Sequence, residues 1–298
     1  VQDDWKVSSK LTLNLGLRWD FFGLVYDHYA KQANFVPFSP PTGSPMYIIP
    51  QSSLANQLSP SFTSQLASQG IALAITNKYG KGLGNSQKTN FAPRFGFAYQ
   101  VTPKFVARGG FGIFYNGFEN RGYSPNLGEN YPFQFSFQFQ QKNDATPIND
   151  FAGCATATPT GGPTLETGFS CIPLDPLLVN ATGLQLRGIQ FDYKTPYSMG
   201  GNFTLQYQLR PSLSVQAGYV TTLGRHLEVF PGSNRPTAIL PPNTTLTGVS
   251  ALPSSQGGLQ WPLFAQNASY AATWGSSYYH GLQTNVQKKF SNGLNFLL

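Results

Sequence analysis

From Leu11 to Phe21 the chain reads Leu-Thr-Leu-Asn-Leu-Gly-Leu-Arg-Trp-Asp-Phe, with every odd position apolar and every even one polar or glycine. A period of two sends successive side chains to opposite faces of an extended strand. The run is about eleven residues long, enough for a tilted strand to cross a bilayer. The pattern recurs over Phe91 to Gln100, where Phe95, Phe97 and Tyr99 share one face and Arg94, Gly96 and Gln100 the other. It returns at Phe105 to Tyr115, Met199 to Leu209, Leu213 to Leu223, Leu282 to Phe290 and Leu294 to Leu298, while Val1 to Val7 reads as the end of a further strand. Helical periodicity is confined to Leu54 to Ala74, inside a connection.

Short turns follow four of these strands: Ser8-Ser9-Lys10, Val101-Thr102-Pro103-Lys104, Arg210-Pro211-Ser212 and Ser291-Asn292-Gly293. Between them lie very long connections, about 23–90, 116–196 and 225–277. Short and long alternate, so all the turns fall at one end of the strands and all the long loops at the other. Outer-membrane barrels have this asymmetry, whereas long structureless loops count against a compact soluble fold. The stretch Phe133 to Gln140 also alternates, but a crossing there would put the Arg210-Pro211-Ser212 turn outside the cell. It is expected in an extracellular extension; the alternative is a crossing strand with a partner between residues 172 and 195. The expected fold is all-β, an antiparallel transmembrane β-barrel fragment of about eight crossing segments, the first and last truncated.

Composition agrees. Of 298 residues only 10% are charged, 14% are aromatic, and Gly (31) and Pro (23) are plentiful, which suits strands joined by turns. A mean hydropathy of -0.21, without an apolar run of about 18 residues, excludes a helical span but not a barrel. The net charge of +7, from 19 basic and 12 acidic residues, is scattered without the basic cluster of a nucleic-acid face. Cys154 and Cys171 lie in a Gly/Pro/Thr-rich stretch and fit one disulfide in an oxidising compartment, or two free thiols.

The apolar face is expected to meet lipid and the polar face the lumen. Trp19, Phe21 and Tyr115 at the loop ends, and Tyr99, Phe105 and Tyr207 near the turns, would form the two aromatic girdles. Arg18, Asp20, Arg94 and Arg108 fall on the polar face, and an Arg facing the lipid midplane would cost about 2–4 kcal/mol. Lys288 breaks the parity two residues before a turn, where its side chain can snorkel. No enzyme signal emerges. His28, His226 and His280 have no partners at metal-ligand spacing, and Arg108-Gly109-Gly110-Phe111-Gly112 lies in a strand rather than before a helix, so it makes no phosphate loop. No cofactor is expected. The loop aromatics Trp261, Phe264, Tyr270 and Trp274 are the ligand-contact candidates, able to stack on sugars, aromatic chelates or peptides, or else on one another.

The stretch Val1-Gln2-Asp3-Asp4-Trp5, followed by Leu11-Thr12-Leu13-Asn14-Leu15-Gly16-Leu17-Arg18, resembles TonB-dependent outer-membrane receptors. So do Asn90-Phe91-Ala92-Pro93-Arg94-Phe95-Gly96-Phe97-Ala98-Tyr99 and the strand Arg108 to Tyr115 after it. Thr195-Pro196-Tyr197, Gly218-Tyr219-Val220 and Gly281 through Leu294 are similar to later strands of the Oar-like, carboxypeptidase-regulatory-domain-containing branch. The resemblance implies a barrel of roughly 22 strands closed by an N-terminal plug. Residues 1–298 would be part of that barrel, with the plug, the TonB-contacting region and the last strands outside the chain. It implies a place in the Gram-negative outer membrane among its lipids, and TonB-energised uptake of a scarce large solute such as a siderophore or oligosaccharide. A passive porin, or a structural or adhesive barrel, is the competing reading.

Overall fold

The structure, a computed structural model, describes residues 1–51, 58–117, 125–134, 177, 179, 181–236, 242–243, 258–266, 268–291 and 294–297. In chain order the elements are β1 (Gln2–Lys6), β2 (Leu11–Asp20), β3 (Asn34–Val36), β4 (Met46–Ile49), α1 (Pro60–Ser68), β5 (Ala72–Ile75), β6 (Asn85–Ser86), β7 (Asn90–Thr102) and β8 (Phe105–Tyr115). There follow β9 (Gly188–Ile189), β10 (Asp192–Tyr193), β11 (Tyr197–Arg210), β12 (Leu213–Val229), β13 (Tyr270–Ser291) and β14 (Leu294–Leu297). Two regions result, a strand wall and a cap built from the long connections.

The wall has the order β1-β2-β7-β8-β11-β12-β13-β14, every neighbour antiparallel. These are the eight segments read from the alternation. Strand β8 pairs directly with β11, from Tyr115↔Tyr197 to Phe105↔Tyr207, so no crossing strand separates them. Of the Phe133 to Gln140 stretch only Phe133 and Gln134 are described, and Phe133 packs on the cap core. Cys154 and Cys171 lie outside the described residues.

The register carries a stagger. Leu11, Tyr99, Ala107, Leu205, Ala217 and Thr284 form one row across the strands. Leu11 is already at its turn, whereas Phe105 lies two residues before Ala107, Leu213 four before Ala217, and Ser291 seven beyond Thr284. The slip is about one residue per strand, or ~3.3 Å of climb for each ~4.8 Å of width. Strands whose turns share one level must therefore tilt by roughly 35–40°, as barrel closure requires.

Two strands outrun the alternation. The 17-residue β12 and 22-residue β13 carry the wall well past Leu223 and Leu282, so the third connection is shorter than the 225–277 expected. At ~3.3 Å per residue β13 spans about 70 Å, more than a bilayer with its headgroups, and its outer half stands above the membrane. Small residues such as Ala271, Ala272, Gly275 and Ser276 hide the period there; pairing with β12, through bulges between Arg225 and Val229, sets the length instead. His226 supplies the first bulge with a left-handed backbone, φ 52°.

The connections are folded. Strands β3, β4 and β5 form a small sheet, with β3 antiparallel and β5 parallel to β4. Helix α1 starts where Ser59 accepts from the Phe62 N–H and Pro60 occupies the first turn, and Gly70 at φ 70° follows its end. The helix covers only part of Leu54 to Ala74, because Ala72–Ile75 pairs with Met46–Ile49 instead. Phe35, Tyr47, Ile49, Phe62 and Leu66 of the first connection bury against Tyr131, Val179 and Leu186 of the second and Trp261 and Phe264 of the third. All three connections thus share one hydrophobic core.

Candidate functional site

The two faces of the wall differ. Cross-strand partners share a face, so the apolar residues line up as Trp5, Leu13, Phe97, Gly109, Phe203, Tyr219 and Leu282, all on one side. The glycine in this row leaves room for a ring: a Cβ at Gly109 would come 2.5 Å from Phe97, which reaches across toward Phe203 with ring centroids 6.3 Å apart. At the loop end Trp19 stacks on Phe21 and Tyr115 meets Tyr197, and at the turn end Phe105 meets Tyr207. Lys288 donates to Ser212 Oγ at 2.9 Å, which holds its ammonium at the turn.

The opposite face carries Asn14, Gly96, Gly110 and Asn202 in one row and Thr12, Ala98, Arg108, Thr204 and Gln283 in another. Arg18 is paired with Asp20 at 2.7 Å, Arg94 lies over the Phe114 ring at 4.9 Å, and Arg108 donates to Gln206 at 3.4 Å. Phe114 departs from the polar parity, and glycine at 112 accommodates its ring.

In the cap, residues 183–193 bind on both sides. Gly183 and Gly188 donate to Leu263 O and Ser269 O, and Ala265 donates to Leu184 O. On the other side Phe35 donates to Arg187 O, and β10 pairs with β6. Gly188 is pinned so closely that an added Cβ would stand 1.8 Å from Phe35 O. Three buried asparagines complete the linkage. Asn34 donates to Leu83 O and Ile189 O and accepts from Ile189 N–H; Asn130 does the same for Ala33 O, Arg187 O and Arg187 N–H. Asn234 accepts from Trp261 N–H and donates to Trp261 O and Phe264 O. These residues carry no sequence signature, since an amide that mimics a strand partner looks like any other loop asparagine.

The four loop aromatics separate. Trp261 and Phe264 are 2% exposed and Tyr270 is fully buried, their rings against Phe35, Phe62 and Phe38 respectively. Packing on neighbours therefore describes these three, and their faces are not open to a ligand in this conformation. Trp274, on β13 rather than in a loop, is 52% exposed. The histidines stay apart, His28 against Tyr29 and His280 bonded to Tyr219 and Thr221, and no group of three metal-ligating side chains occurs among the described residues. Tyr193 donates to Glu228 where cap meets wall; burial and that carboxylate both push its hydroxyl pKa up.

A sheet with one apolar face largely exposed, polar on the other side and capped at one end needs a non-aqueous surrounding. The family model of the outer membrane beta barrel domain matches residues 1–298. The chain belongs to this family. As an outer membrane beta barrel domain it resides in the outer membrane, its apolar face toward lipid and its polar face toward the lumen. A sequence search of curated proteins finds no match. Among solved structures the chain is similar to the siderophore receptor PirA from Acinetobacter baumannii, at 10% identity and TM-score 0.37, covering 98% of this chain and 25% of that one. PirA from Pseudomonas aeruginosa matches at 9% identity and TM-score 0.37 over 98% and 30%, and the alcaligin receptor FauA from Bordetella pertussis at 12% and 0.30 over 97% and 26%. The chain thus spans between a quarter and a third of the length of these receptors.

Proposed function

We propose that the chain is part of an Oar-like TonB-dependent receptor, whose cap captures a scarce large solute, such as a siderophore or oligosaccharide, and whose barrel imports it without catalysis. The observation that carries this reading is the cap: three connections fold around one core above the membrane, more structure than a wall needs to stay inserted. Trp274 is the ligand contact this reading retains. Cys154 and Cys171 would close a disulfide within the second connection, readable as a linked peptide pair in non-reduced digests.

The test is uptake of iron-55-loaded siderophores and labelled oligosaccharides into matched strains with and without TonB. Binding that survives loss of TonB while accumulation stops is the expected outcome. Undiminished accumulation without TonB would replace the receptor with a passive porin.

A further inference from the structure

At the loop end of the wall, the row that holds the aromatic pair Tyr115 and Tyr197 continues into Arg225 on β12. Six residues separate Arg225 from Tyr219 of the apolar row, an even number with no bulge between them, so both side chains leave the lipid side. Arg225 lies twelve residues beyond Leu213 at the turn, about 40 Å along the strand and roughly 32 Å in depth at the tilt of the wall. That depth matches a hydrocarbon layer of about 30 Å, so a cation interrupts the girdle at the level of the outer headgroups.

Both strands beside β12 are described here, and none of the outward residues flanking Arg225 on them, Tyr197, Ser276 and Tyr278, is acidic. The guanidinium donates to Gly224 O at 3.1 Å and lies 4.5 Å from the centroid of the Tyr278 ring. No carboxylate among the described residues pairs with it, and Glu228, three positions on, accepts from Tyr193 of the cap. His226, the bulged residue that follows, sets its ring 5.9 Å from that of Tyr197 and adds a further N–H donor.

We propose that this outward face docks a phosphorylated glycolipid of the outer leaflet, with Arg225 as the phosphate contact. A guanidinium at the edge of the acyl layer without a counter-anion is costly, and a phosphate removes that cost through two parallel N–H donors. The tyrosine hydroxyls of the same row and His226 suit the sugar oxygens beside the phosphate. A zwitterionic phospholipid fits less well, because its ammonium would meet Arg225 with no carboxylate flanking it. The inference rests on the outer-membrane location alone and holds whatever the barrel carries.

Native mass spectrometry of the intact detergent-purified protein, titrated with bis-phosphorylated lipid A, phosphate-free lipid A and phosphatidylglycerol, tests it. Bis-phosphorylated lipid A binds roughly tenfold more tightly than either of the others, and excess inorganic phosphate does not displace it. Arg225→Gln lowers that affinity about tenfold and Arg225→Lys by less, because an ammonium keeps the charge but loses the paired donors. Lys288→Gln, which removes the outward cation near the turns, stays within about twofold of the unaltered protein, since that site belongs to the other leaflet. The proposal is overturned if phosphate-free lipid A or phosphatidylglycerol binds as tightly, if free phosphate competes the lipid away, or if Arg225→Gln leaves the affinity unchanged. The comparison among lipids uses the unaltered protein and so stands even if a substitution impairs insertion.

Discussion

On the wall, Leu15, Leu17, Phe95 and Leu282 are between 42% and 77% exposed, while in the cap Phe35, Tyr47, Phe62 and Trp261 are at most 2% exposed. Both sets are large and apolar, yet only the second buries itself within the protein. The wall leaves its hydrophobic burial to lipid, so its strands need backbone pairing and an outward apolar face but little packing across the sheet. The cap stands in water and must build a core of its own. Exposed apolar area therefore signals opposite things in the two regions: a solvent interface in the wall and a defect in the cap.

This contrast can be broken most severely at Gly188. With a Cβ placed 1.8 Å from a backbone oxygen, Gly188→Val forces β9 away from Phe35 and should destabilise the cap by at least ~3 kcal/mol. Limited proteolysis should cut the connections rapidly while the barrel keeps its heat-modifiable gel mobility. A cap as resistant as before would show that the two regions do not fold separately in this sense.

The next effect belongs to the wall. Leu15→Arg on the lipid face should cost roughly 2–4 kcal/mol of barrel stability, whereas Asn14→Arg, one residue away on the lumenal face, should cost little. Urea unfolding in lipid vesicles reads both, and equal costs would remove the assignment of faces. The smallest change sharpens the cap alone. Asn34→Ala deletes three hydrogen bonds in a fully buried place and leaves their backbone partners unsatisfied, an expected loss of about 1–3 kcal/mol. Amide exchange should then quicken at Ile189 and leave the β7–β8 hairpin unchanged.

The wall was legible because one of its solvents is lipid, and lipid imposes its preference on every second residue of Leu11 to Phe21 or Phe91 to Gln100. Where lipid ends, so does legibility: the outer half of β13, rich in Ala, Gly and Ser, follows β12 without any pattern of its own. In the cap, strands of two or three residues such as β3, β9 and β10 are too short to show a period, and Asn34 meets Ile189 across 155 positions of sequence. Buried loop aromatics were equally open to two readings. Trp261 and Phe264 have a composition suited to binding, and only the position of Phe35 and Phe62 shows that their surfaces are already occupied.

The stagger of the wall makes each cross-strand row a ramp rather than a contour. From Leu11 to Thr284 the row rises seven residues above the turns, about 23 Å along a strand and roughly 18 Å in depth at the tilt derived above. A polarity-sensitive label moved along this one line of hydrogen-bonded neighbours would therefore sample the bilayer from its inner edge toward its outer leaflet.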